Sequence, residues 1–217
     1  VSDLAVEVVS DSGEGAQKCG QIFGALSAKM GNGVWTVEII PAEVEPPPRS
    51  AVGASGIRIR FGDREVTNWG DETNVVVAFN EQVLLGRHEL KALAPDAVIL
   101  VEGMWAQHPD PDVRKQWADA MEELAKTDYT IIEVPMEEQC LTVVDNARKG
   151  KNMFALGLLC AVFNRDMERA REQIAYAFRG KKKEVTEKNW KLLDLGYAWA
   201  KENLGFRYEI PTMPEGG

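Results

Sequence analysis

Two short runs in the middle of the chain, Val75-Val76-Val77-Ala78-Phe79 and Ala97-Val98-Ile99-Leu100-Val101, constrain the fold more than any other feature. Neither alternates apolar with polar residues, so both faces of each strand must be covered, as in parallel sheets sandwiched between helices. A helical stretch, Glu81 to Leu93, lies between them. The same rhythm starts earlier, with a β-branched strand at Leu4–Val9, a glycine turn, and a helix over Ala16–Met30 whose Ile22, Phe23, Leu26 and Met30 recur at helical spacing. It continues with strands at Val34–Ile40 and Ile57–Phe61, a helix over Asp112–Lys126 and a strand at Tyr129–Val134. Beyond Pro135 only helices are expected: Glu137–Ala147, Asn152–Phe163, Met167–Phe178 and Val185–Asn203. The fold class is therefore α/β, a Rossmann-like, mostly parallel sheet with helices on both faces and a helical C-terminal part.

The expected organisation is one domain over residues 1–210, with 211–217 a Pro/Gly tail or linker. Of the 217 residues 45% are hydrophobic and 27% charged, enough to build a core and too apolar for a disordered chain. With 34 acidic against 25 basic residues the formal charge is −9, which repels phosphate backbones and anionic lipid. No nucleic acid or membrane partner is expected. No apolar stretch approaches the ~20 residues of a bilayer span, and the N-terminus lacks a secretory layout, so a cytoplasmic chain is expected, with Cys19, Cys140 and Cys160 as reduced thiols.

A sheet of this kind binds ligands outside the carboxyl ends of its strands. There lies the turn Ser12-Gly13-Glu14-Gly15, placed where dinucleotide folds present bare N–H groups at a helix start. It is incomplete as a fingerprint, because Lys18 stands where the third glycine belongs, and Asp11 and Glu14 set negative charge against a diphosphate. The glycines serve equally well for a tight turn and close helix packing. A second candidate is the stretch Arg49 to Arg60, in which Arg49, Arg58 and Arg60 can bind carboxylate or phosphate through paired N–H donors. A solvated strand face with surface ion pairs, or a protein interface, are its other readings. In Ile57–Phe61 the alternation puts the isoleucines on a core face and both arginines on a face that is not core.

The remaining searches are negative. The two histidines, His88 and His108, form no metalloprotease pattern, no cysteine pair has C-x-x-C spacing, and no G-x-S-x-G elbow occurs. No catalytic or metal-binding residue is predicted in this chain.

Four stretches resemble the γ component of the 2-oxoacid:acceptor oxidoreductases. They are Gly13-Glu14-Gly15 with Gly20, the loop and strand Arg49-Ser50-Ala51-Val52-Gly53-Ala54-Ser55-Gly56-Ile57-Arg58-Ile59, the strand end Ala78-Phe79-Asn80-Glu81, and the helix start Lys151-Asn152-Met153-Phe154-Ala155-Leu156-Gly157. The stretch from Lys182 through Asn189 to Gly196-Tyr197 is similar to the family's closing helix.

The resemblance implies a non-autonomous component of an enzyme that decarboxylates a 2-oxoacid oxidatively, acylates coenzyme A, and passes electrons to ferredoxin or another acceptor. It further implies that this chain alone holds no cofactor. Thiamine diphosphate, Mg2+, iron–sulfur clusters and coenzyme A belong to the whole enzyme. The implied partners are thiamine-diphosphate-binding α and β components and a ferredoxin-like cluster subunit. The residues implied on the coenzyme A side are Gly13, Glu14, Gly15, Arg49, Ser50, Gly53, Ser55, Asn80 and Asn152. Two alternatives remain open: a stand-alone Rossmann-like nucleotide-binding oxidoreductase, and a purely structural assembly subunit.

Overall fold

The computed structural model describes residues 1–214. Among them the elements run β1 (Asp3–Asp11), α1 (Ala16–Lys29), β2 (Gly33–Ile39), β3 (Ala54–Gly62), β4 (Thr73–Ala78), α2 (Glu81–Glu89), β5 (Leu93–Glu102), α3 (Pro111–Leu124), β6 (Thr130–Val134), α4 (Met136–Cys140), α5 (Lys151–Val162), α6 (Met167–Ala177) and α7 (Lys183–Asn203). The strands form one sheet in the order β2-β3-β1-β4-β5-β6. β1, β4, β5 and β6 pair in parallel, and β3 alone runs against its neighbours β1 and β2. After β1 the chain moves outward to β2, returns through β3, and crosses to β4 on the far side of β1. The carboxyl ends of β1 and β4 thus flank the point where strand order reverses, which is where such sheets hold ligands.

Each face of the sheet has its own core. On one, Ile22, Phe23 and Leu26 of α1 meet Ile57, Ile59 and Phe61 of β3 and the body of α5. Phe61 stands edge-on to both Phe23 and Phe163, with ring centroids 5.3 and 5.1 Å away. Burial of each such ring contributes roughly 1.5–3 kcal/mol. On the other face, Val83 and Leu84 of α2 and Trp117 and Leu124 of α3 cover Val76, Ile99 and Val101. The unalternating strands are therefore covered on both sides.

α5 is apolar all round because it is covered all round: every residue from Met153 to Val162 is buried. It crosses α7 at a close approach that two glycines permit. A Cβ at Gly157 would stand 2.2 Å from the Leu193 carbonyl oxygen, and one at Gly196 would stand 2.0 Å from that of Phe154. The Leu-Gly and Gly-Tyr pairs read as family signatures are thus the two sides of one helix crossing.

Several elements depart from expectation. α2 stops at Glu89 rather than Leu93, because Lys91 turns into the left-handed region (φ 55°) and lets β5 start at Leu93. The helix expected over Glu137–Ala147 is only Met136–Cys140; turns follow it, and Asn146 opens a separate short 3-10 turn by accepting the Arg148 N–H. The largest correction concerns Arg58. It is 7% exposed and not on a solvated face, because β3 is interior and Glu7 on β1, fully buried, stands opposite it. Alternation cannot tell a wet face from a buried ion pair. Pro211 and Met213 bond to Asn32 and Gly31 at 2.9 and 2.8 Å. Residues 215–217 of the expected tail lie outside the described residues.

Candidate functional site at the carboxyl ends of β1 and β4

β1 ends in Asp11, whose carboxylate faces inward as an organiser. It accepts the backbone N–H of Arg49 on both oxygens (3.1 and 3.0 Å) and the amide of Asn80 (3.1 Å). These bonds pin the proline-rich loop and the end of β4 onto the end of β1. They also hold Arg49 at φ 50°, a left-handed conformation that costs a non-glycine residue of order 1–3 kcal/mol and so needs an outside anchor. Asn80 in turn caps α2, its side chain accepting from Gln82 and Val83 N–H, both at 3.0 Å.

Gly13 and Gly15 take φ of 84° and 80°, and Gly15 is the N-cap of α1. A Cβ at Gly13 would meet nothing within 4 Å, whereas one at Gly15 would stand 2.5 Å from the Asn152 amide nitrogen. The glycine turn is therefore open to approach at one residue and closed by the start of α5 at the next. Glu14 points back into the protein, its carboxylate accepting the Asp11 N–H at 3.2 Å. Burial pushes its pKa up, against the pull of Arg148 and Lys151. Its charge is thus turned away from the mouth of the turn.

The Arg49 guanidinium lies 4.5 Å over the Trp105 ring, donates to Gln116 of α3 at 2.9 Å, and pairs with Glu81. Trp105 is fixed by its indole N–H on the Phe79 carbonyl (2.8 Å), directly after β4. Beside it Lys151, 2% exposed, pairs with Glu102 at 2.9 Å, and Glu102 also accepts the N–H groups of Met104, Met136 and Glu137. Burial raises the Glu102 pKa, opposed by Lys151 and by those bonds. One aromatic plate, two cations each paired with a buried carboxylate, and the starts of α1, α2 and α5 converge on the switch point. The helix starts and the open backbone at Gly13 are the features there that suit an anion.

Of the predicted residues, Gly13, Glu14, Gly15, Arg49, Asn80 and Asn152 come together here. Ser50 instead bonds its own loop at Pro47 O (2.8 Å), Gly53 ends a tight 3-10 turn beneath it, and Ser55 lies within β3 opposite Ser10. Arg58 and Arg60 belong elsewhere, engaged with Glu7 and Asp3. Glu81, Glu102, Trp105, Gln116 and Lys151 were not among the candidates. Sequence gives one signal for Glu102, a carboxylate at the end of a buried strand, and none for Trp105. The chain's own donors do not suit an iron–sulfur cluster. Cys19, Cys140 and Cys160 are all buried, burial pushes all three thiols up (Cys140 and Cys160 to about 12), and no group of three or more His, Cys, Asp or Glu gathers among the described residues.

Residues 6–199 match the family model described as pyruvate ferredoxin/flavodoxin oxidoreductase. The chain belongs to this family. A relative, the 2-oxoglutarate oxidoreductase subunit KorA of Mycobacterium tuberculosis, is 29% identical over 233 residues, covering all of this chain and 34% of the relative. The chain thus spans about a third of that relative's length. The fold matches the 2-oxoglutarate:ferredoxin oxidoreductase of Magnetococcus marinus, solved with 2-oxoglutarate, coenzyme A and succinyl-CoA bound, at a TM-score of 0.76 and 24% identity, over 99% of this chain and 34% of that one. It also matches two subunits nearly end to end. One is the keto/oxoacid ferredoxin oxidoreductase γ subunit of Geobacter sulfurreducens (TM-score 0.66, 15% identity, 93% of this chain and 98% of that one). The other is the pyruvate oxidoreductase subunit PORC of Thermotoga maritima (0.63, 21%, 91% and 97%). No helix among the described residues is long and apolar enough to cross a membrane.

Proposed function

We propose that this chain is the γ-type component of a cytoplasmic 2-oxoacid:acceptor oxidoreductase and that its β1–β4 switch point forms the coenzyme A approach. In this reading the thiamine diphosphate, Mg2+ and clusters sit in adjoining components, which decarboxylate the 2-oxoacid, transfer the acyl group to the coenzyme A thiol, and send two electrons to ferredoxin or another acceptor. This chain's residues bind and orient. The open backbone at Gly13 and the α1 start meet phosphate oxygens, Arg49 supplies countercharge, and Asp11 fixes the loop that carries Arg49.

One observation carries the proposal: the family match runs from β1 into α7, and the same stretch brings cations and helix starts together at a strand-order reversal. Asp11 and Glu14 accept backbone N–H groups inside the protein, so neither carboxylate occupies the open face at Gly13. A purely structural role has its own support in exposed Trp35, Trp69 and Leu90 (40%, 54% and 72%), side chains suited to contact with another component.

The assay is 2-oxoacid-dependent, coenzyme A-dependent acceptor reduction by the intact protein. Arg49→Lys keeps the charge and loses the two-pronged donor, so KM for coenzyme A should rise about tenfold, equivalent to ~1.4 kcal/mol, with KM for the 2-oxoacid unchanged. An unchanged KM for coenzyme A, or loss of assembly instead of turnover, contradicts the reading.

A further inference from the structure

We infer that the groove between α1 and α6 seats the phosphorylated adenosine end of coenzyme A, while the β1–β4 switch point holds the diphosphate. The inference rests on the proposed coenzyme A approach and adds a second contact region to it.

The groove has a volume of about 420 Å³ and begins at Lys18, in the first turn of α1. Lys18 is three residues past Gly15, about 4.5 Å along a helix axis, so the groove starts beside the glycine turn. Ile22 and Ala25 give it an apolar wall on the α1 side. Gln173 and Tyr176 of α6 and Arg179 just beyond it stand opposite, and no acidic side chain is among the lining residues.

Three features of this groove have no use within the chain. Gln173 is 6% exposed, yet its amide has no hydrogen-bond partner among the described residues. Buried polar groups are nearly always bonded, and the core side of α6 is already supplied by Ala170 and Ile174, so an amide here calls for a partner from outside. Tyr176 is 64% exposed and its ring is backed by the Arg179 guanidinium, 4.1 Å from the centroid, which makes a braced stacking plate. Lys18 and Arg179 pair with no carboxylate among the described residues, although the chain as a whole carries a formal charge of −9; Arg179 donates only to the Tyr176 carbonyl at 3.3 Å.

An adenine nucleotide meets all three. The base stacks on Tyr176, and the Gln173 amide, which both donates and accepts, matches the donor–acceptor edge of adenine. Lys18 and Arg179 supply countercharge to the phosphate. Coenzyme A carries its diphosphate between an adenosine arm and a pantetheine arm. With the diphosphate on the open backbone at Gly13, the pantetheine arm leaves towards the acyl transfer in the adjoining components, and the adenosine arm follows α1 into the groove.

The test is calorimetric titration of the intact protein with coenzyme A, adenosine 3′,5′-bisphosphate and 4′-phosphopantetheine. Tyr176→Ala should weaken coenzyme A and the bisphosphate about tenfold, the effect of losing one base stacked on an aromatic side chain. Lys18→Ala should weaken the same two, and neither variant should change phosphopantetheine binding. Gln173→Leu should also weaken both adenosine probes; the two substitutions at exposed side chains decide the matter if this buried one folds poorly. If Tyr176→Ala and Lys18→Ala bind coenzyme A as tightly as wild type while Arg49→Lys binds it more weakly, the adenosine groove is overturned and the switch point stands. If Tyr176→Ala weakens the bisphosphate while Arg49→Lys leaves coenzyme A binding unchanged, the groove stands and the switch point falls. Wild-type protein that takes up no bisphosphate at millimolar concentration also overturns the groove, leaving it to contact with another component.

Discussion

Two arginine–carboxylate clusters lie at opposite ends of α2, and they stand in different settings. At its last turn, Glu7 accepts from Arg58 (2.9 Å), Thr73 (2.9 Å) and Arg87 (2.8 and 2.9 Å), while the rest of the Arg58 fork goes to the carbonyls of Gly70 and Ala92 at 3.0 and 3.1 Å. At its first turn, Arg49 pairs with Glu81, donates to Gln116 of α3 and lies over Trp105, on a backbone held at φ 50°. The same two side-chain types form a closed structural rivet in one place and stand at the proposed coenzyme A approach in the other. Burial of an ion pair by itself says little about its purpose.

The largest effect that separates the clusters is thermodynamic. Glu7→Ala leaves two arginines against a buried void without a counterion, and removing one partner of such a pair costs about 3–5 kcal/mol. Urea denaturation should show that loss, and a loss under ~1 kcal/mol would mean the rivet is not one. Glu81→Gln should cost less than Glu7→Ala, because it strands one arginine and not two, and that arginine keeps Gln116 and the Trp105 ring. Equal losses at Glu7 and Glu81 would erase the contrast.

The contrast was only half legible in the sequence. The sheet could be read because Val75–Phe79 and Ala97–Val101 lack alternation, Gly13–Gly15 could be placed at a strand end by order alone, and Arg49 was brought to the site by the family resemblance. Arg58 was misread, since an apolar–basic alternation looks the same whether the basic face meets water or a buried Glu7. Ser50 and Ser55 share the loop with Arg49 but bond within it or pair in β3, and sequence carries no sign of which loop atoms turn inward. Glu81 and Lys151 stood in stretches that resemble the family but carried no role, and Trp105 in none, because what joins the three is the convergence of β4, β5 and α5 at one end of the sheet.

A smaller effect concerns pH. Burial raises the folded-state pKa of Glu14 above its ordinary 4.5. The folded state therefore holds more protons than the unfolded one at pH values from about that figure up to the raised folded value, and stability falls as pH climbs through this window. Glu14→Gln should flatten this part of the stability–pH profile, measured by thermal denaturation across buffers. A profile steeper than wild type would reverse the assignment.

The central claim is that coenzyme A enters at the β1–β4 switch point, and backbone hydrogen exchange of the intact protein tests it most directly. Adding coenzyme A should slow exchange in the segments 12–18 and 49–54 and at the start of α5, with the Glu7 cluster unchanged. Protection confined to other segments, with these three exchanging as before, would contradict the account.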